Sequence, residues 1–204
     1  MGIINDNEKI NKLSDNSNIH YIKVCLLGID KSGKTNFLNR FINRNNFNNF
    51  KESIQVYTPT LGASYLVLSV EHKSKLFKLE IWDTAGDLKW FSLTRIYVKD
   101  ANIILNFYDP FNKDSFEYIK KCYQIVKEMN NVFPCSYILI KNKCNLKETK
   151  DKKIMVPDEE ILEYADKHNL SFRNLSILEK YDSGIEEIIE DCFNDYLYKN
   201  NKKL

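Results

Sequence analysis

Apolar positions along the chain repeat with two different periods, and the alternation between them predicts the architecture. Residues 21–27 form a short apolar, partly β-branched run that suits a buried strand. Residues 35–44 then place Phe37, Leu38, Phe41 and Ile42 at helical spacing, and the asparagine-rich stretch 43–49 ends that helix. The segments 61–70 and 76–83 alternate with period two, Phe77, Leu79 and Ile81 on one face and Lys78 and Glu80 on the other, which predicts an antiparallel hairpin. Beyond it, apolar runs at 103–108, 136–140 and 170–175 alternate with amphipathic helical stretches at 113–130, 158–168 and 184–198. Strands alternating with helices of this length predict an α/β fold: a doubly wound, mostly parallel six-stranded sheet with helices on both faces. Sheets of this kind bind ligands beyond the carboxyl ends of their strands. A polar, flexible tail over 1–19, one folded domain over 20–198 and a short basic tail over 199–204 complete the expected organisation.

Composition narrows the function classes. The 204 residues carry 30 Lys and Arg against 28 Asp and Glu, a net charge of +2, so no strong field favours nucleic acid. A 43% hydrophobic content supplies one sizeable core. The five cysteines, at 25, 122, 135, 144 and 192, have no CxxC spacing, and the chain opens without a signal series, so free thiols in a reducing cytoplasm are expected. Cys25 and Cys135 fall in strand-like runs and read as core. His20, His72 and His168 show no metal spacing and are expected to be solvated or to cap helices. Of 24 asparagines, ten fall in 1–18 and 43–49, which marks two solvated stretches.

The first strand runs directly into Gly28-Ile29-Asp30-Lys31-Ser32-Gly33-Lys34-Thr35, a G-x-x-x-x-G-K-[ST] series that opens a helix. Its glycines let backbone wrap a phosphate, the helix N-terminus adds positive potential, Lys34 reaches terminal phosphate oxygens and the Thr35 hydroxyl can ligate Mg²⁺. This loop alone leaves kinase, ATPase and GTPase open. Asp83-Thr84-Ala85-Gly86 ends the second hairpin strand, putting a carboxylate where nucleotide hydrolases hold their metal. Asn142-Lys143-Cys144-Asn145 and Ser176-Ile177-Leu178 follow two later strands at the same sheet edge.

Together with Thr60 and Trp82, these loops resemble the Ras superfamily of small GTPases over about residues 20–198. Within it, Trp82 and the series Thr60-Leu61-Gly62-Ala63-Ser64-Tyr65 are most similar to Rab proteins, the early-endosome Rabs nearest. The resemblance implies a phosphate-loop G-domain and a molecular switch of vesicle trafficking that binds Mg²⁺ and GTP or GDP. It implies that Thr35 and Thr60 ligate the magnesium, that Asp83 holds a magnesium-bound water and that Gly86 senses the γ-phosphate. Asp30, Lys31, Ser32, Gly33 and Lys34 would surround the phosphates. Asn142, Lys143 and Asn145 would frame guanine, with Ser176 and Ile177 closing its other edge. Thr60 and residues 87–97 would be the switches, and Tyr65, Trp82 and Tyr97 the aromatic cluster that meets effectors and exchange proteins.

Several residues depart from that pattern. Asp87 stands where the family has the glutamine that orients the attacking water; a carboxylate accepts from water but donates nothing to the phosphate. Asp30 stands where the family has a small residue. Both changes point to slow hydrolysis, with Lys34 and Asp87 the catalytic candidates. Asn145 replaces the aspartate that accepts two guanine N–H groups, which puts guanine preference in question and opens xanthine nucleotides. Leu178 replaces a lysine, and the 25-residue link from Thr35 to Thr60 is longer than the family's, with Phe47 or Phe50 available to pack on a base.

The last cysteine, Cys192, lies within a helical stretch and the chain ends in Lys202-Lys203-Leu204, so no prenyl anchor and weak or no membrane binding are expected. Gly2 is an acylation position in principle, but Asp6 stands where Ser or Thr is favoured. Two other classes stay in view. One is a pseudo-GTPase adaptor with a fixed effector surface, the other a nucleotide kinase sharing only the phosphate loop.

Overall fold

A computed structural model describes residues 2–3, 19–43, 62–73, 75–129, 135–143, 146, 149, 153–176 and 183–201. In chain order these form β1 (Gly2–Ile3), β2 (His20–Leu27), α1 (Lys34–Ile42), β3 (Ala63–His72), β4 (Lys75–Thr84), a 3₁₀ helix (Leu88–Leu93) and α2 (Thr94–Val98). There follow β5 (Ile103–Tyr108), α3 (Lys113–Met129), β6 (Ser136–Lys141), α4 (Asp158–His168), β7 (Ser171–Asn174) and α5 (Ser183–Asn201).

The strands lie in one sheet of order β1-β3-β4-β2-β5-β6-β7. β3 and β4 pair antiparallel as the alternation predicts, Leu66 opposite Ile81 and Val70 opposite Phe77, and every pairing from β4 through β2, β5 and β6 to β7 is parallel. The six expected strands are all present. A seventh, β1, adds Gly2 and Ile3 antiparallel to Glu71 and Val70 at the β3 edge. Two residues carry no readable period, so the pattern could not announce it. The segment 88–98 likewise folds into short helical turns, too brief to show a period in the sequence.

Each central strand divides its side chains between two cores, because successive residues point to opposite faces. On one face Ile22, Val24 and Leu26 meet Phe37 and Phe41 of α1 and Ile188 and Phe193 of α5. On the other, Cys25, Leu27, Ile104 and Leu139 meet Ile119 and Cys122 of α3 and Ile161 of α4. The two-sided burial explains why the parallel strands read as continuous apolar runs. Asn106 is a polar exception in the middle of β5: it is fully buried and its amide donates to the Tyr137 hydroxyl at 2.6 Å.

The histidine expectation needs correcting. His72 is buried between the Phe77 and Phe193 rings, its Nε2 without a hydrogen-bond partner among the described residues. Burial pulls its pKa down, which suits a neutral ring in a core. His20 stacks on Phe77 with ring centroids 5.1 Å apart, and His168 packs on Tyr123 and Tyr164. Cys25 is core as expected, and burial pushes its thiol up to about 12, leaving it unreactive. Cys135 is half-buried.

At the end of β4 the buried Thr84 hydroxyl donates to the Leu26 carbonyl at 2.7 Å, tying the two strands where both deliver residues to the site. Thr84→Val keeps the shape and removes the donor. It should cost about 1 kcal/mol in urea unfolding, with an unchanged denaturant slope.

Candidate functional site

The loop after β2 is shaped by glycines that no other residue could replace. Gly28 has φ +141°, and a Cβ there would lie 2.4 Å from the Phe107 carbonyl oxygen. Gly33, at φ 103°, heads α1, and Lys31 takes a left-handed conformation between them. The result is a tight wrap of backbone at a helix N-terminus, a shape that receives phosphate. Inside it the Ser32 hydroxyl is fully buried with no hydrogen-bond partner among the described residues.

Lys34 is 5% exposed, and its ammonium donates to the Gly28 carbonyl at 2.7 Å and the Ile29 carbonyl at 3.1 Å. Burial lowers its pKa to about 8, against the opposing pull of the Asp83 and Asp30 charges. Its neighbour Thr35 donates to the Asp83 carboxylate at 2.6 Å, and Asp83 is 1% exposed. A hydroxyl beside a buried carboxylate is a pair of hard oxygen donors, which fits magnesium. Gly86 is pressed onto the phosphate loop: the Asp30 N–H donates to its carbonyl at 3.0 Å, and a Cβ would meet the Asp30 nitrogen at 2.2 Å.

The loop after β6 reaches the same place. Asn142 is buried, its side-chain amide donates to the Ser32 carbonyl at 2.8 Å, and its backbone N–H donates to the Tyr108 carbonyl at 3.0 Å. Lys143, left-handed at φ 62°, forms an ion pair with Asp109 at the end of β5. Ser176, just past β7, has a buried hydroxyl with no partner among the described residues, and the preceding Leu175 N–H donates to the Lys141 carbonyl at 2.7 Å. The structure thus brings Asp30, Lys31, Ser32, Gly33, Lys34, Thr35, Asp83, Gly86, Asn142, Lys143 and Ser176 to the carboxyl edge of one sheet. Thr60, Asn145, Ile177, Leu178, Phe47, Phe50 and Cys144 lie outside the described residues.

The model of the Ras family matches residues 23–197, which spans all of these loops. The chain belongs to the Ras family. It is 30% identical over 181 residues to Ras-related protein Rab-13 of Canis lupus familiaris, covering 89% of this chain and 82% of that protein. It is 33% identical over 150 residues to Ras-related protein Rab-31 of Rattus norvegicus, covering 72% and 70%. Ras-related protein Rab-11B of Dictyostelium discoideum is 30% identical over 176 residues, covering 86% and 74%. The chain is a Rab-like small GTPase of the vesicle-trafficking class, and GTP, GDP, Mg²⁺, effectors and exchange proteins are what this family binds in general. No helix among the described residues is long and apolar enough to cross a membrane.

Two further features lie beside this site. Asp87 caps the 3₁₀ helix: its carboxylate accepts from the Lys89 N–H at 3.0 Å and pairs with the Lys89 ammonium at 2.7 Å. Those bonds hold the exposed carboxyl below its ordinary pKa. Asp87, a catalytic candidate by its position after Gly86, thus also serves as the cap of this helix. The second feature is aromatic. Trp82 packs against Tyr65 at 4.9 Å and Tyr97 at 5.6 Å between centroids, and the Lys23 ammonium lies 5.7 Å from the Trp82 ring. The buried Cys25 thiol donates to the Tyr97 carbonyl at 2.9 Å, fixing the cluster to β2. Lys23, Asp109, Lys141 and Asp158 escaped the sequence reading, because each meets its partner only through the tertiary fold.

Proposed function

We propose that this chain is a Rab-like switch that binds GTP or GDP with magnesium and hydrolyses GTP slowly. The observation that supports slow turnover is that residue 87 is an aspartate, an acceptor without a donor, whose carboxylate is bonded to its own helix at Lys89. Lys34, now bonded to two carbonyls of its own loop, exchanges them for terminal phosphoryl oxygens, and the glycine-shaped loop at the head of α1 wraps the phosphates. Gly86, able to approach only because it lacks a Cβ, presents its N–H to the γ-phosphate. Thr35, Thr60 and Asp83 hold the metal, which supplies neutralisation of the developing phosphoryl charge. Water attacks the γ-phosphorus and the bond to the bridging oxygen breaks. Asp87 can accept from the attacking water but donates nothing to the phosphate, and Asp30 adds a negative charge beside an anion. Tyr65, Trp82 and Tyr97 form the surface that effectors and exchange proteins meet.

Asn142, Lys143, Asn145, Ser176 and Ile177 take the base. Replacing a charged acceptor by the Asn145 amide weakens guanine binding by about 1.5–3 kcal/mol, one to two decades. Nucleotide extracted from the purified protein should be guanine nucleotide. A panel of guanosine, xanthosine and adenosine diphosphates with Mg²⁺ should raise thermal stability most for guanosine, by about 2.7 kcal/mol at a hundredfold excess over Kd. A protein that carries no nucleotide and gains no stability from any of them overturns this reading.

The packed Tyr65–Trp82–Tyr97 cluster favours a second reading, an adaptor whose effector surface stays fixed and whose nucleotide is never turned over. Phosphate release that disappears in Lys34→Ala would exclude the adaptor.

A further inference from the structure

Lys141 is a charged residue at the end of a buried strand. Tyr137 and Leu139 point into the core shared with α3 and α4, and Lys141, two residues on, shares their face of β6. Its side chain is 11% exposed, and its ammonium pairs with the Asp158 carboxylate, 17 positions later, in the first turn of α4. Asp158 itself is 49% exposed, so the pair forms at the rim of the core where the lysine stem is desolvated and the acid is not.

The pair closes the chain excursion that contains the base-binding loop. Immediately after Lys141, Asn142 is bonded to the Tyr108 and Ser32 carbonyls, and Lys143 is paired with Asp109. At the other end, the N–H groups of Met155 and Val156 both donate to the Pro110 carbonyl, at 2.8 and 3.1 Å, just before α4 begins. Both ends of the excursion are therefore pinned to the corner formed by residues 108–110, and the Lys141–Asp158 pair joins them. Asn142 carries the connection on to the phosphate loop.

We propose that Lys141 and Asp158 are positioning residues that fix α4 against the base loop and so set base discrimination and the lifetime of bound nucleotide. The proposal rests on the nucleotide-switch reading above. Hydrogen bonds that read a base are sensitive to small displacements of the loop that makes them, whereas the phosphate contacts come from a loop and helix on the other side of the site. Loss of the pair thus acts first on the base loop and reaches the phosphate loop only by way of the Asn142 amide, so the base is affected more than the phosphates. A purely structural role acts on both alike or on neither.

The test uses the full chain with Lys141→Met, Asp158→Asn and the double variant. Release of a fluorescent guanosine diphosphate should be roughly tenfold faster in each single variant, and no faster in the double, because both remove one pair. The affinity ratio of guanosine to inosine diphosphate should fall by a similar factor, and inorganic triphosphate should bind within about twofold of the parent. Asp158→Asn, an exposed isosteric change, keeps the test open should Lys141→Met fold poorly. Single variants that release guanosine diphosphate at the parental rate overturn the positioning role while leaving the switch intact. Triphosphate affinity falling in step with nucleotide affinity overturns it too. A parent that binds none of the probes overturns both.

Discussion

Replacing Asp30 by Gly and Asp87 by Gln together should raise the single-turnover rate of phosphate release from GTP about a hundredfold, the size of effect that one correctly placed proton-handling group supplies. The reasoning begins with what Asp87 does in the fold. Its carboxylate accepts from the Lys89 N–H and pairs with the Lys89 ammonium, so it is satisfied locally. A glutamine has a longer stem, no charge to draw it to Lys89, and both a donor and an acceptor for a water beside a phosphate. Asp30 is coupled to the same place through its backbone, whose N–H donates to Gly86. Gly at 30 keeps that bond and removes an exposed carboxylate from the phosphate loop. Each single change should give part of the gain. Weakening the cap lets the 3₁₀ helix fray, a cost confined to Leu88–Leu93. A double variant no faster than the parent would mean that the slow step lies elsewhere, in the metal ligands or the segment around Thr60.

How much of this was legible beforehand depends on whether a residue's role is local. Gly28 to Thr35 could be read because a strand, a glycine-rich turn and a helix in succession define the loop by themselves. The hairpin of β3 and β4 was legible from alternation, and the central strands from apolar runs that two-sided burial requires. Tyr65, Trp82 and Tyr97 were named from a resemblance, and their packing follows from cross-strand register: Tyr65 is opposite Trp82. Lys141 and Asp158 were not legible, since an ion pair between a strand end and a helix start leaves no period in the sequence. Asp87 was read for its place beside a phosphate, when an aspartate preceding a helical turn is also a cap. His72 fell outside expectation because nothing in its neighbourhood along the chain shows that Phe193 will cover it.

Lys34→Met should abolish nucleotide retention while leaving the ligand-free protein at least as stable as the parent. The two halves of that result have one cause. Lys34 is 5% exposed, and among the described residues its ammonium is bonded to two neutral carbonyls of its own loop, which replace water imperfectly even with the Asp83 and Asp30 charges nearby. The lowering of its pKa to about 8 by burial expresses that cost. A methionine of similar length fills the space without a charge to desolvate. With a phosphate chain in the loop the balance reverses, because two charge-assisted hydrogen bonds to phosphoryl oxygens contribute roughly 1.5–3 kcal/mol each, two to four decades of affinity together. Thermal unfolding with and without guanosine diphosphate and Mg²⁺ reads both quantities. The parent should be stabilised by about 4 kcal/mol at a thousandfold excess over its Kd, and the variant by about 1.4 kcal/mol or less at the same concentration. A variant that keeps its nucleotide through purification would place the ligand somewhere other than this loop. A lysine held at a cost to the fold, at a position where a phosphate would repay it, is a residue suited to binding.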